Sequence, residues 1–482
     1  MSSGIRRGPG YPRPPMALDR RTFLRKLGNG AALAAVAASP FARPFEALAA
    51  RSEPTGRGYG PLQTVRDDAT GLPLLELPAG FRYVSFGWTG DAMADGRPTP
   101  TGHDGAAAFA GPDGLIHYVR NHELSLDSRI PNRTSFAPGD ATYDAGEAPG
   151  GVTTVVFDPR RGRALETHPR LSGTIRNCGG GPTPWGTWLT CEESLDDPDH
   201  AHSSALLEHT HGWVFEVPPT GKLTPEPLRG LGRMWHEAVA IDPTDGVAYL
   251  TEDRETSGLY RFLPRQPGQL ARGGRLEMLA VRGTHGFDSH RKSELGRWLD
   301  VHWLPIRDPE RPHADVVARD GLGVYGQGRE AGGATFRRGE GIWYRGGRIY
   351  FIASSGGRAD MGQVFELDPI RQRMRLLFES EGPDQLNRPD NVTVSPRGGL
   401  VLCEDAKQRR PHLRGLDPSG QLFDLARNAV VLDGERGGLR GDFRGKEWAG
   451  ACFSPDGRWL FASIQWPGIS FAITGPWERG AL

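Results

Sequence analysis

Short apolar runs alternate with tight turns along most of this chain. The run 238–241 ends in Asp242-Pro243, and a second apolar run occupies 248–250. Pro at the second position of such a turn and Gly later in it suit a sharp reversal of the chain. Runs of β-branched and aromatic residues bounded by these turns predict β-hairpins. The same unit, complete or in part, lies at 154–159, 364–369, 392–402 and 451–461.

The hairpins recur at irregular distances along the 482 residues. Blades of short antiparallel strands joined by such turns build a β-propeller, and irregular spacing indicates insertions within or between the blades. We therefore predict an all-β fold, a β-propeller of about six blades with loop insertions. The Arg-, Gly- and His-rich segment 265–330 is predicted to be such an insertion. A pair of β-sandwiches or a jelly roll is the competing architecture.

Composition agrees with a fold that turns often. The chain has 67 Gly and 40 Pro among 482 residues, well above the usual shares of roughly 7% and 5%. This excess disfavours a helical bundle. Because 58 Lys and Arg balance 58 Asp and Glu, no overall basic field attracts nucleic acid, and we expect no nucleic-acid partner.

The first 50 residues differ from the rest. A twin arginine at 20–21 precedes Phe-Leu at 23–24, an Ala-rich apolar run at 27–38 and a small-x-small sequence at 47–49. This order is typical of a twin-arginine (Tat) export signal. The apolar run is too short to span a membrane, and no later run reaches 18 apolar residues, so we predict no stable membrane anchor. A disordered basic tail with a buried Ala-rich helix is the alternative.

The predicted organisation is a Tat signal peptide at 1–50, an irregular polar N-terminal arm at 51–75 and a propeller domain at 76–482. We expect the Tat machinery as an export partner and a monomer in the periplasm or outside the cell. Four cysteines, at 178, 191, 403 and 452, are too few for a disulfide scaffold, and none lies in a CxxC zinc pattern.

Acidic residues cluster where the predicted strands end. The segments are 120–123, 190–193, 235–237, 251–253, 338–341, 388–391, 403–405 and 447–450. Strand ends of a propeller converge on its central channel. Carboxylates brought together there must be protonated, paired with Arg or bound to cations, because they repel each other and lose hydration. Many hard oxygen ligands suit Ca²⁺ or ferric iron, whereas any single Glu is as readily a surface or turn residue.

The most specific string begins at Asn177-Cys178-Gly179 and ends at Glu192-Glu193. Its three consecutive glycines indicate that the backbone approaches another group closely. Cys178 is a candidate soft metal ligand, and the alternative is a small buried hydrophobic residue. A GxSxG nucleophile motif, an HExxH zinc motif and a Walker A loop are all missing from the sequence.

On these motifs the chain resembles the PhoX-type alkaline phosphatase family from about residue 120 to the C-terminus. The resemblance rests on Asn121-His122-Glu123, on the string 177–193, on His236-Glu237, on 334–341, on 388–391 with Glu404-Asp405, and on 453–457 with 465–468. At position 339 the family usually has Pro, where this chain has Gly.

The resemblance implies a Tat-exported propeller that hydrolyses phosphate monoesters with Fe³⁺ and Ca²⁺ in its channel. Carried over by motif, Cys178, Glu237 and Glu340 are iron or bridging ligands, and Arg338 is the catalytic clamp on the phosphate. The calcium-side ligands carried over in the same way are Glu123, Glu193, Asp390 and Asp405.

Two other classes stay open at this point. A calcium-dependent lactonase-type propeller hydrolase needs no thiol ligand, and a non-catalytic periplasmic binding propeller needs no metal. The metals present in the purified protein separate the three classes. Iron with calcium indicates the phosphatase, calcium alone the lactonase, and no metal the binding protein.

Replacing Arg20 and Arg21 together with Lys is expected to stop export and leave folded protein in the cytoplasm, because the twin guanidinium pair is the defining feature of the signal. Fractionation of cells followed by immunoblotting measures the distribution. The same replacement at Arg6 and Arg7, outside the motif, is the control and leaves export intact. Unchanged periplasmic protein from the first variant contradicts the Tat interpretation.

Overall fold

The computed structural model of the protein describes residues 58–127, 133–199, 206–311, 323–406 and 409–482. The predicted signal peptide at 1–50 lies outside these residues. In chain order the strands are β1 (Leu62–Val65), β2 (Leu75–Pro78), β3 (Arg82–Phe86), β4 (His103–Ala110), β5 (Ile116–His122), β6 (Gly150–Asp158), β7 (Arg163–Thr174), β8 (Asn177–Pro182), β9 (Trp188–Glu192), β10 (Val214–Val217), β11 (His236–Ile241), β12 (Ala248–Glu252), β13 (Tyr260–Pro264), β14 (Gly274–Val281), β15 (Trp298–Pro305), β16 (Gly339–Arg345), β17 (Arg348–Ala353), β18 (Gln363–Asp368), β19 (Arg373–Glu379), β20 (Pro389–Val394), β21 (Leu400–Glu404), β22 (His412–Leu416), β23 (Leu422–Asn428), β24 (Val431–Asp433), β25 (Arg440–Asp442), β26 (Trp448–Phe453), β27 (Leu460–Ile464) and β28 (Ile469–Thr474).

The described helices are few and short. Two are α-helical, α1 (Ser289–Lys292) and α2 (Gly323–Glu330), and the 3₁₀ turns are Pro112–Gly114, Arg229–Leu231, Leu270–Arg272 and Trp477–Arg479. No helix in the described ranges approaches the length and hydropathy that crossing a bilayer requires.

The strands form six antiparallel blades around a central channel. The blades are β4–β7, β8–β10, β11–β14, β16–β19, β20–β23 and β26–β28 with β3, numbered 1 to 6 below. Their first strands, β4, β8, β11, β16, β20 and β26, neighbour one another in a closed ring. The predicted all-β propeller is confirmed, and each predicted strand–turn–strand unit is a hairpin within one blade.

The aspartates that precede Pro close these hairpins as the turn chemistry predicts. The carboxylate of Asp242 accepts a hydrogen bond from the amide of Thr244 at 2.9 Å. Asp158 does the same for Arg160 at 2.9 Å. A side chain that satisfies a turn amide fixes where the strand ends and reverses, so local sequence sets the ends of the strands.

Departures from four equal strands lie at the blade edges. Strand β15 pairs with β14 and β19 and thereby joins blades 3 and 4 into a nine-stranded sheet. Strands β2 and β1 extend blade 5, and β1 lies within the polar arm at 51–75. The prediction that 265–330 is wholly an insertion is wrong, because β14 in this segment completes blade 3. Its buried apolar half, from Leu276 to Val281, is what packs it into the blade.

Blade 6 unites the two ends of the described chain. Strand β3 pairs with β28, with Arg82 opposite Thr474 and Phe86 opposite Ser470. Phe86 then packs on Tyr118 of blade 1, with ring centroids 5.5 Å apart. Closing the ring with distant segments means that every blade has a neighbouring blade on each side.

Aromatic side chains fill the interface between blades 6 and 1. The ring of Phe461 lies 5.0 Å from that of Tyr118 and 5.2 Å from that of Phe157, and Phe461 is fully buried. Such rings bury large apolar areas and gain further from edge and stacked contacts. This cluster therefore holds the closure of the propeller.

Phe461→Ala is expected to lower the free energy of unfolding by about 3–5 kcal/mol. The removed ring leaves a cavity lined by aromatic side chains of two blades, and these blades cannot move together to fill it. Denaturant unfolding measures the change. The control is Ile370→Ala, whose side chain is 79% exposed and whose loss changes stability by about 0.5 kcal/mol or less. Equal stability of both variants contradicts the assigned role of this interface.

Candidate metal centre

The second residue of each first strand occupies an equivalent place at one end of the channel. We call these positions ring one: Asp104, Cys178, Glu237, Glu340, Asp390 and Ala449. A β-bulge at or beside this residue interrupts the pairing of every first strand with its neighbour. Bulges turn a side chain away from its regular direction. The six-fold repeat of bulges thus gives six equivalent side-chain positions at the channel mouth.

The residue directly after each second strand forms a second set. Ring two is Glu123, Glu193, Asp253, Ser354, Asp405 and Gln465. A third set, ring three, precedes the first strands and is Gly102, Arg176, Trp235, Arg338, Arg388 and Glu447. In every blade the ring-two amide donates a hydrogen bond to the ring-three carbonyl, at 2.7 to 3.2 Å. The same bond in all six blades fixes both rings against the channel end.

The three rings carry an excess of negative charge. Among their eighteen positions stand nine carboxylic acids and one thiol against three arginines. Three overlapping groups have ligand atoms that all lie within 4.8 Å of one another: Asp104–Glu123–Cys178, Cys178–Glu193–Glu237 and Glu237–Glu340–Asp390. Because Cys178 and Glu237 each belong to two groups, the groups form one continuous cluster. Six of the seven predicted ligands are in it.

Asp405, the seventh predicted ligand, lies beside this cluster. Burial and the charge of Asp405 raise the pKa of Asp390 to about 7, whereas Arg338 lowers it. Glu447 also faces Asp405 and Asp390, and burial and these charges raise its pKa well above the usual value. The acidic cluster therefore continues from blade 5 to blade 6.

Burial and mutual repulsion oppose ionisation of several groups in the cluster. They raise the pKa values of Asp104, Glu237 and Glu340 well above the ordinary range. The pKa of the Cys178 thiol is raised in the same way, first by burial and then by the charges of Asp104 and Glu237. A group that resists ionisation in isolation is stabilised as an anion by a bound cation.

Glu237 is the clearest sign that cations belong here. Both of its carboxylate oxygens and Oδ1 of Asp104 are buried without a hydrogen-bond partner among the described residues. The thiol of Cys178 beside Glu237 is too weak a donor to satisfy two anionic oxygens. Buried carboxylates without donors are costly unless they are protonated or coordinate metal, and the donor set of one thiol and many carboxylates fits metal ions.

Two arginines neutralise part of the cluster. Nε and Nη2 of Arg338 donate to the two oxygens of Asp253 at 2.7 and 2.8 Å, and Nη2 also lies 2.8 Å from Glu340. Arg176 bridges Glu123, at 3.0 Å, and Glu193. The structure thus places the predicted phosphate clamp, Arg338, within the cluster and bonded to acids.

The glycines after Cys178 have a steric cause. A Cβ on Gly179 would stand 2.4 Å from the carbonyl oxygen of Glu237, and one on Gly181 would stand 1.6 Å from that of Val239. Strand β8 thus approaches β11 too closely for any side chain. Asn121 fixes the same strand by donating to the carbonyls of Cys178 and Gly179 at 2.8 and 2.6 Å.

The structure distinguishes the two acids within each of the pairs Glu192-Glu193 and Glu404-Asp405. Glu192 turns away and accepts bonds from His211 and from the amides of Ile175 and Gly212. Glu404 turns away too and accepts a bond from Arg414 at 3.0 Å. Successive residues of a strand face opposite sides, so the second member of each pair reaches the channel.

Five charged residues of the rings were missed by reasoning from the sequence: Asp104, Arg176, Asp253, Arg388 and Glu447. Asp253 and Glu447 lie in two of the predicted acidic segments, so the position after a second strand and the position before a first strand are the signals for them. Asp104 lies in His103-Asp104-Gly105, which resembles no acidic segment. Only the ring of first strands identifies it.

Fold and site together define a six-bladed propeller with a cluster of buried carboxylates and one thiol at one end of its channel. The sequence profile of the family described as Alkaline phosphatase PhoX matches residues 57–468, and the chain belongs to this family. The predicted enzyme class, an alkaline-phosphatase-like phosphoric monoester hydrolase, is confirmed.

A solved structure with a TM-score above 0.5 agrees on the fold. PhoX of Pseudomonas fluorescens in complex with vanadate, a transition-state analogue, is 16% identical, with a TM-score of 0.64 over 89% of this chain and 99% of that chain. A gluconolactonase of Xanthomonas campestris is 12% identical, with a TM-score of 0.40 over 87% of this chain and 99% of that one. The WD40 propeller of Doa1 is 9% identical, with a TM-score of 0.37 over 79% and 96%. No curated protein sequence matches.

The metal-free protein is expected to lose stability as the pH rises from about 6.5 to 8. The cluster carboxyls have higher pKa values in the folded than in the unfolded chain. Their contribution to folding stability is therefore complete below the pKa values of the unfolded chain. It is lost as the pH rises through the pKa values of the folded protein, about 7 for Asp390. Thermal unfolding of chelated and metal-loaded protein across this range measures the difference.

Glu237→Gln sharpens this test, because it removes one charge without changing size. Without metal it is expected to be more stable than the parent at about pH 8, and to gain less stability than the parent from added metal. The control is Glu294→Gln at an exposed position, which changes neither quantity. A chelated parent whose stability rises over this pH range contradicts the repulsion argument.

Proposed function

We propose that this chain is a secreted phosphomonoesterase that holds Fe³⁺ and Ca²⁺ at the channel mouth. The observation that carries the proposal is the cluster in which Cys178 and Glu237 are shared between neighbouring acidic groups with buried, unsatisfied oxygens. Membership of the alkaline phosphatase family gives the reaction class. The related Pseudomonas fluorescens enzyme has a structure in complex with vanadate, which supports a phosphate ester as the substrate.

The donor types support a division of the cluster between two metals. Thiolate is a soft ligand and suits iron, so Cys178 with Glu237 and Glu340 is assigned to iron. Calcium takes only oxygen ligands, usually in greater number, and we assign to it Glu123, Glu193, Asp390 and Asp405. Asp104 and Glu447 stand among these carboxylates and are added as ligands on the calcium side.

Bound cations supply Lewis-acid stabilisation of the charge on the phosphoryl oxygens. The protein itself orients the ester. Nε and Nη2 of Arg338 are held by Asp253 and Glu340, while Nη1 has no hydrogen-bond partner among the described residues. The two N–H groups of Nη1 are therefore free to donate to a phosphate oxygen. Because the ion pair with Asp253 already orients the guanidinium, little side-chain conformational entropy is lost when they do so.

The leader supports a location outside the cytoplasm. A Tat signal at 1–50 delivers a folded protein whose metals were acquired before export, which suits a centre built from side chains of all six blades. We propose a periplasmic or secreted monomer with the Tat machinery as its export partner.

Metal analysis of protein exported through its own leader tests the proposal, together with hydrolysis of p-nitrophenyl phosphate. Iron and calcium are both expected, and chelation is expected to abolish turnover, because the repelling carboxylates no longer form an ordered centre. Calcium alone with hydrolysis of lactones, or protein without metal and without activity, overturns it.

The variant Cys178→Ser tests whether Cys178 is a metal ligand or only a packing residue. The change preserves size, so stability falls by only about 1 kcal/mol. A hydroxyl is a poor substitute for thiolate, so iron content is expected to fall and turnover to drop at least about tenfold, which is about 1.4 kcal/mol of barrier. The control is Cys452→Ser, which is buried among apolar side chains between blades 6 and 1 and leaves iron unchanged. Full iron and turnover in Cys178→Ser reject the ligand role.

A further inference from the structure

Arginine occupies three of the six ring-three positions, Arg176, Arg338 and Arg388. All three have left-handed backbone, with φ of 49°, 51° and 51°. Each carbonyl accepts a hydrogen bond at 2.9 Å from the ring-two amide of its blade. Because backbone conformation and anchoring are the same, the three side chains leave the backbone in equivalent directions at the channel mouth.

Two of these arginines form ion pairs with carboxylates, and the third forms none with a residue that the structure describes. Arg176 is bonded to Glu123 and Glu193, and Arg338 to Asp253 and Glu340. Arg388 is half-buried, and its guanidinium makes no hydrogen bond or ion pair with any residue that the structure describes. It stays unpaired although Asp390 and Asp405 are its near neighbours along the chain and across the blade.

A half-buried guanidinium without a partner among the described residues, on a residue two positions before Asp390 of the acidic cluster, has the chemistry of an anion site. The group cannot lose its proton, and its planar fork fits two oxygens of a phosphate. Arg388 and Arg338 precede the first strands of neighbouring blades, because β16 of blade 4 and β20 of blade 5 contact each other in the ring. Glu340 and Asp390, the ring-one residues two positions after Arg338 and Arg388, belong to one acidic group.

We propose that Arg388 donates to the phosphoryl group of the substrate, so that the dianion is held between the arginines of blades 4 and 5. This inference rests on the proposed phosphomonoesterase function and adds a second arginine to it. Arg388 then contributes to binding of the phosphate itself, whatever alcohol the ester carries, and it contributes equally to binding of the inorganic phosphate product.

Arg388→Gln tests the proposal in metal-loaded enzyme. The KM for p-nitrophenyl phosphate and the inhibition constant of inorganic phosphate are each expected to rise about tenfold, a typical loss for one charge-assisted bond. Iron and calcium contents are expected to stay unchanged. Arg388→Lys keeps the charge but not the fork, so its values are expected to lie between those of the parent and the glutamine variant. The control is Arg358→Gln, which alters an exposed arginine paired with Glu379.

Each outcome separates this inference from the function on which it rests. Hydrolysis by the parent with unchanged KM and inhibition constant in Arg388→Gln overturns the inference and leaves the phosphatase intact. Loss of metal from the variant also overturns it, because Arg388 then stabilises the centre instead of binding the anion. A parent without hydrolysis rejects the proposed function, and calorimetry with inorganic phosphate then decides whether Arg388 binds it. If the glutamine variant does not fold, the lysine variant decides, and unchanged constants there overturn the inference.

Discussion

Mutual repulsion among buried carboxylates at the channel mouth is the constraint on which the rest of this structure depends. Burial raises the pKa of Glu237 and Glu340, and the neighbouring carboxylates raise it further. Arg176 and Arg338 offset only part of that charge. The remainder must be met by protons or by cations, so the site has two electrostatic states, and binding of a cation favours the ionised one.

The propeller provides the rigidity that such a site requires. Rings two and three are anchored at the strand ends by a backbone bond that recurs in all six blades, and the blades are held together by apolar interfaces such as that around Phe461. Repelling groups would otherwise separate. Since closure by β3 and β28 completes the ring, packing far from the channel sustains the density of charge within it.

The sequence predicted the strands well because their determinants are local. Apolar runs and Asp-Pro turns specify hairpins without reference to the rest of the chain, and the hairpin at 238–250 formed as expected. Strand β14 was missed because its surroundings are rich in Arg and Gly, and its place depends on pairing with β13. Which strand pairs with which depends on tertiary contacts, and the sequence of a single segment specifies it only weakly.

The same division applies to the site. The sequence by itself determined that acids and Cys178 stand at strand ends, since residue type and turn position suffice for that. Only the tertiary structure decided that Glu193 faces the channel while Glu192 does not and that Asp104 joins the cluster. It also decided that Arg388 is left without a side-chain partner among the residues described. The physical reason is that repulsion, burial and pairing depend on distances of a few ångströms between blades. Those distances exist only once the ring of six first strands has closed.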